Sequence, residues 1–316
     1  MNSVSVDNFE RMPIWYHPIY TEGIHPDARF PRERYARLVH RILKSPKSEL
    51  IEVLEPKEAS REDLLLAHDE EYVDQFLQGE LDDKKIRRIG LTPWTPAIIP
   101  RTLRLMGGSV EAMAHVAKTG GLAANMAGGT HHAHRDFGSG YCIFNDLAVC
   151  AYLAIEKYNF QKVAILDLDV HQGDGTASIF ENDERVLTIS VHCSKNFPFR
   201  KSKSDYDLEI IPDLGDKEYL KTVEEALQIC SNFNPDLVLF QAGVDSLETD
   251  ALGLLKVTRE GMKKRNEMVF DTVLSSKIPM VIFMGGGYSK PIEHTIDSFC
   301  DLFLKAAEVN QQILNS

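Results

Sequence analysis

Val163-Ala164-Ile165-Leu166-Asp167-Leu168-Asp169-Val170-His171-Gln172-Gly173-Asp174-Gly175 is the stretch on which the reading of the fold turns. Val163–Leu168 is short and largely apolar, as expected of a strand buried on both faces, and it runs directly into acid, imidazole and glycine. Side chains alternate along a strand, so Asp167, Asp169 and His171 share one face. Two carboxylates and an imidazole on one side of an apolar strand are costly to bury unless something neutralises them. A divalent cation does so most simply; a buried Asp–His hydrogen-bond pair is the plainer alternative.

The same pattern recurs on either side. Leu122–Ala127 leads to Gly128-Gly129-Thr130-His131-His132, and Val186–Val191 closes on Ser190-Val191-His192. Leu237–Gln241 leads to Ala242-Gly243-Val244-Asp245, and Met280–Met284 to Gly285-Gly286-Gly287-Tyr288. Helical patterns lie between and around them: Pro31–Lys44, Ser60–Leu77, Asp146–Lys157, Lys217–Asn232, Thr258–Ser275 and His294–Val309, with Pro93 to Pro100 as an ordered loop. Strands alternating with helices predict βαβ units around a parallel sheet, hence an α/β fold. In open α/β sheets the ligand crevice lies outside the carboxyl ends of the strands, so these segments are expected to converge on one site.

Composition narrows the setting. The chain has 316 residues, 43% of them hydrophobic, enough for one sizeable core. No linker, repeat or low-complexity tract divides it, so a single domain over residues 1–316 is expected. The start, MNSVSVDNFE, lacks the features of a signal peptide, and no apolar run approaches the roughly 18–20 residues that span a bilayer. Five cysteines without a CxxC argue against a disulfide framework or thiolate zinc site. A reducing, cytoplasmic location is expected. A net charge of −12 argues against a nucleic-acid partner; it could steer lysine-rich or polyamine substrates inward, though ordinary solubility charge is the blander account.

The convergent residues have complementary chemistry. Asp245 would add a third ligand to Asp169 and His171, leaving a position open for water as catalytic metal sites do. His131 and His132 can flank a metal-bound water if carboxylates hold their far nitrogens, and Asp167 and Asp174 are the natural partners. Gly285-Gly286-Gly287 lets the backbone approach a ligand closely, and the Tyr288 hydroxyl could donate to a developing oxyanion. Exposed histidines and a plain tight turn are the alternatives for these two segments.

Taken together, GGTHHAHRDFGSGYCIFND (Gly128–Asp146), DLDVHQGDGT (Asp167–Thr176), QAGVDSLETDALG (Gln241–Gly253) and MGGGY (Met284–Tyr288) closely resemble the zinc-dependent histone deacetylase family. Weaker marks are Leu66–Tyr72 and His25-Pro26. The resemblance implies a single-domain, three-layer α/β/α arginase/deacetylase fold with a mainly parallel, roughly eight-stranded sheet. It implies zinc on Asp169, His171 and Asp245, with Fe²⁺ or Mn²⁺ as other candidates for such a ligand set. It further implies His132, oriented by Asp174, as general base; His131, paired with Asp167, as its electrostatic or proton-donating companion; and Tyr288 polarising the acyl carbonyl. Potassium is implied beneath the zinc, at Asp167, the carbonyls of Asp169 and His171, Ser190 and Val191. Gly140, Tyr141, Phe197, Phe199, Leu252 and Gly286 would line a tunnel for the substrate stem.

The implied activity is hydrolysis of N-acyl-lysine, acetyl or longer, in proteins or peptides, with hydroxamates as inhibitors. Gln172, where many relatives have histidine, resembles the class IV branch and its bacterial counterparts. Leu252, in Asp250-Ala251-Leu252-Gly253, departs from the polyamine-preferring branch, which resembles Asp-Pro-Glu-Gly there. Near Leu91–Trp94 no rim aspartate stands to grip a substrate backbone. A deacetylase of a small amide such as an acetylpolyamine is the second enzymatic reading. An arginase-like two-metal reaction fits less well, and a scaffold with a vestigial pocket would usually lack one of these groups.

Overall fold

The computed structural model describes residues 11–315; the opening residues 1–10, read above for the lack of a signal peptide, lie outside them. Eight strands are present among the described residues: β1 (Met12–Trp15), β2 (Ile51–Leu54), β3 (Leu122–Asn125), β4 (Val163–Asp167), β5 (Val186–Cys193), β6 (Tyr206–Ile210), β7 (Leu237–Gln241) and β8 (Met280–Phe283). They form one sheet in the order β2-β1-β3-β8-β7-β4-β5-β6. Every neighbouring pair is parallel, so the sheet is wholly rather than mainly so. Every residue of β3, β4, β7 and β8 is buried, which is why their apolar runs stand out in the sequence.

Topology distributes the helices. Crossovers between parallel strands are right-handed, so opposite directions of travel across the sheet put helices on opposite faces. The rightward connections carry helices Ile98–Thr119, Asp146–Tyr158 and Asp174–Phe180. The leftward ones carry Arg34–Leu43, Asp216–Phe233 and Arg259–Ser276, and Glu293–Leu314 packs between the first and last of these. The result is three layers. After β4 the chain departs to one face, and after β7, its neighbour, to the other. The crevice of a doubly wound sheet opens at such a reversal.

Three expectations need correction. The strands β1, β2 and β6 escape the sequence reading: β1 (MPIW) and β2 (IEVL) are only four residues long, β1 broken by a proline, and β6 (YDLEI) is a half-exposed edge with alternating polar residues. Ile98–Pro100, assigned to a loop, is the first turn of the helix Ile98–Thr119, where proline is tolerated because the N–H it lacks has no helical partner there. Ser60–Leu77 is two helices, Arg61–Leu65 and Glu70–Gln78. Tertiary bonds make the break: the Asp69 N–H donates to the Arg135 carbonyl at 2.9 Å, and His68 Nδ1 lies 2.9 Å from the His134 carbonyl oxygen. His68 Nε2 accepts from the Asn145 N–H at 2.8 Å. The interruption thus braces the segment that follows the histidine pair, at His134–Arg135 and again at Asn145.

Candidate active site and metal centre

Asp169 and His171 follow β4, Asp245 follows β7, and the reversal between these strands brings them together. Their ligand atoms lie within 4.8 Å of one another and all three residues are buried. His171 Nδ1 is 3.0 Å from Asp169 Oδ1 and 3.1 Å from Asp245 Oδ2. The remaining carboxylate oxygens are anchored: Asp169 Oδ2 accepts from the Gly286 N–H and from Gln241 Nε2, each at 2.8 Å. Asp245 Oδ1 accepts from the Val170 N–H at 2.8 Å. One oxygen of each carboxylate therefore faces the imidazole.

This donor set fits a divalent cation. Burial pushes Asp245 up, and Asp169 adds to it, to about 7. Burial opposes charge on His171, but its bonds to Asp169 and Asp245 outweigh it and raise the ring to about 10. Two carboxylates closing on one imidazole thus retain a proton where a cation would satisfy all three. Gly286 completes the cradle, since a Cβ there would stand 2.0 Å from Asp245 Oδ2 and 2.7 Å from Asp169 Oδ2.

The histidine pair sits against this cluster. His131 Nδ1 is 2.6 Å from Asp167 Oδ2, and His132 Nδ1 is 2.6 Å from Asp174 Oδ1. A carboxylate only accepts, so both Nδ1 atoms carry hydrogen and both Nε2 atoms turn towards the crevice. His131 Nε2 lies 3.9 Å from Asp169 Oδ1. The two rings differ in charge. Burial works against charge on both, but Asp167 and Asp169 lift His131 to about 9, whereas burial and the charge on His131 lower His132 to about 4. Burial also pushes Asp174 up, yet His132 and His134 outweigh it and keep it ionised. Burial raises the Tyr288 phenol well above its ordinary range, preserving it as a donor.

Two cavities meet at these groups. An inner one of about 50 Å³ touches Asp169, His171, Gly286 and Tyr288. An outer funnel of about 460 Å³ is lined by Gly140, Tyr141, Phe197, Phe199, Leu252 and Tyr288. The two expected tunnel phenylalanines differ in place: Phe197 packs edge-on against His132 with ring centres 4.9 Å apart, while Phe199 stands 93% exposed at the rim. Tyr141 is held at φ 68°, a left-handed conformation rare outside glycine, with its N–H bonded to the Ile89 carbonyl at 2.7 Å. Asp167 and Ser190, two of the groups named for potassium, are register partners across β4 and β5, and Ser190 Oγ lies 3.0 Å from His192 Nδ1.

The pattern can be compared with known proteins. A model of the histone deacetylase domain matches residues 28–302. The chain belongs to the histone deacetylase family. It is 41% identical over 285 residues to an uncharacterized protein of Picosynechococcus sp., covering 90% of this chain and 94% of that one. It is 32% identical over 279 residues to histone deacetylase 2 of Arabidopsis thaliana, covering 85% and 71%. A probable deacetylase of Archaeoglobus fulgidus is 31% identical over 284 residues, covering 84% and 77%. As a family member the chain is a deacetylase-type amide hydrolase.

Several residues that position this deacetylase site escaped the sequence reading. Asp146 accepts from the Thr130 N–H and hydroxyl at 2.8 and 2.6 Å and from the Gly129 N–H at 3.2 Å, fixing the turn before the histidines. His134 Nε2 shares Asp174, 3.3 Å away. Asn196 Nδ2 lies 3.4 Å from the outer nitrogen of His171. Arg34, buried, donates to the carbonyls of Gly285 and Gly287 at 3.1 and 3.0 Å, clamping the glycine turn. Asp146 and His134 lie inside a recognisable motif and were open to notice. Arg34 reaches its partners across 251 residues or more of sequence and leaves no local signal.

Proposed function

We propose that this chain hydrolyses the amide of N-acyl-lysine in proteins or peptides, acting as one catalytic domain. One observation carries the reading: two adjacent histidines, each held by its own carboxylate, face the same spot beside a buried Asp–His–Asp set. A divalent cation held by Asp169, His171 and Asp245, zinc by family and Fe²⁺ or Mn²⁺ by donor chemistry, would polarise the acyl oxygen and acidify a water. His132, neutral and oriented by Asp174, removes a proton at Nε2. His131, held charged by Asp167, faces the developing negative charge and favours it. Tyr288 donates its hydroxyl hydrogen to the former carbonyl oxygen as that oxygen becomes anionic. The proton taken up by His132 then passes to the departing lysine amine. Tyr141 and Phe197 flank the lysine stem and exclude water from it.

Potassium on Asp167, the carbonyls of Asp169 and His171, Ser190 and Val191 belongs to the same proposal, as does a class IV-like placement, supported by Gln172 together with Tyr288. All five cysteines are buried and free, which suits a cytoplasmic setting. No described helix is long and apolar enough to cross a membrane. The test is a panel of acyl chain lengths on one lysine peptide, with metal content measured on the same sample and a hydroxamate as inhibitor. Hydroxamate-sensitive release is expected for at least one chain length. A metal-replete sample inactive across the panel refutes the proposal.

A further inference from the structure

The entrance funnel is charged in the opposite sense from the chain around it. Net charge is −12, yet Arg88 and Lys195 line the funnel and no carboxylate does. Both are exposed, as are Arg200 and Lys203 further along the Lys195 loop. None of these four makes an ion pair among the described residues, whereas Arg61, Arg185 and Arg259 each grip a carboxylate.

The cations are held on a braced frame. Buried Gln172 clasps the loop at Ser202, donating to its carbonyl at 2.8 Å and accepting from its N–H at 2.9 Å. Lys201 Nζ donates to the carbonyls of Asn196 and Pro198 at 2.6 and 2.7 Å. Asn196 Nδ2 donates to the Leu252 carbonyl at 2.7 Å. Arg88 lies over the Phe137 ring, 3.9 Å from its centre. A braced backbone loses little freedom on meeting a partner, and no carboxylate of the described residues pairs with the cations it carries.

We propose that this mouth reads the sequence around the acylated lysine and favours substrates in which acidic residues flank it. The inference rests on the acyl-lysine reading above and gives it a substrate class. The acidity of the whole molecule points the other way, towards cationic substrates, but its field is screened over about 8 Å at physiological ionic strength. At contact distance the cations of the mouth act first. Exposed Phe199, Leu252 and Leu254 supply apolar surface between them, so the preferred flank mixes carboxylates with apolar side chains. A long polyanion such as a nucleic acid meets the same cations but also the repulsion of the acidic remainder.

The experiment uses peptides with one acyl-lysine between paired Glu, Gln or Lys residues, assayed for kcat/KM at low and high salt. Glu flanks should lead, then Gln, then Lys, with about tenfold between the extremes, as two exposed ion pairs allow. High salt and the Arg88→Gln/Lys195→Gln double variant should each shrink the Glu-over-Lys ratio. Lys195→Gln alone should shrink it partway and keeps the test decisive if the double variant misfolds. Equal rates for all three peptides, or a lead for Lys flanks, overturn the inference and leave the deacylase reading standing. Hydrolysis of none of them overturns both. An oligonucleotide that inhibits better than an acidic peptide of equal charge overturns it in favour of a nucleic-acid surface.

Discussion

Gly286→Ala should disable the metal centre while leaving the fold intact. The added Cβ would lie 2.0 Å from Asp245 Oδ2, against an ordinary contact of 3.4 Å or more. One of the two must yield by about 1.4 Å, the difference between those distances. The backbone at Gly286 is poorly placed to move. Its N–H donates to Asp169 and its carbonyl accepts from the Val244 N–H at 2.7 Å, while Arg34 holds the carbonyls on either side. The Asp245 carboxylate therefore gives way. Metal–oxygen bonds tolerate about 0.2 Å of error, so the displacement removes a ligand. Affinity should fall by at least about 100-fold, the upper end of what loss of an outer-shell partner costs, or about 3 kcal/mol. Competition against a chelating dye measures it, with circular dichroism to establish that the variant is folded. A folded Gly286→Ala that binds metal as tightly as wild type would refute the assignment of this trio as the ligand set.

Other perturbations separate binding from chemistry. His132→Ala and Tyr288→Phe should each lower kcat by roughly 10²-fold or more while metal content, measured by elemental analysis, stays stoichiometric. Asp174→Asn frees the His132 ring and leaves His134 without its carboxylate, so kcat should fall by about 10-fold or more; an unchanged rate would rule out the pairing as functional. Stripping metal with a chelator should lower the thermal midpoint and restoring it should raise the midpoint, because only the native chain assembles the three ligands. Burial lowers His68 to about 4 from an ordinary 6.5, so the unfolded chain protonates first. That part of the stability is whole above about pH 6.5 and is lost as pH falls towards 4, up to about 3 kcal/mol; urea unfolding across this range should show a shallower loss in His68→Gln than in wild type.

Legibility in the sequence tracked burial and locality. The strands β3, β4, β5, β7 and β8 could be read because strands packed on both faces need uninterrupted apolar runs, and the crevice residues because each follows such a run. Pairings such as His131 with Asp167 and His132 with Asp174 followed from asking which carboxylates share the crevice. Whatever depends on distant partners was hidden. His68 and Asp69 look helical by local pattern and are pulled out of the helix by bonds to His134, Arg135 and Asn145. Asn196 sits in a polar, lysine-rich loop whose composition suggests only exposure, yet it is buried against His171. The sign of the charge at the funnel is equally invisible to net charge, since it depends on which cations the fold leaves without carboxylates.

The strand order has a consequence for how the molecule is made. Synthesis delivers β1, β2 and β3 as one slab and β4, β5 and β6 as another, and the strands that join them, β7 and β8, come off the ribosome last. Until residues 237–283 emerge, the flank of β3 and the flank of β4 are both bare, parallel and apolar. Each is an invitation to pair with the wrong chain. From the completion of β6 at Ile210 until β8 is made, the nascent protein therefore exists as two unfinished halves, and a message truncated before the β7 codons would yield aggregate rather than a smaller enzyme. Metal loading is likewise a late event, because Asp245 enters with the segment that closes the gap.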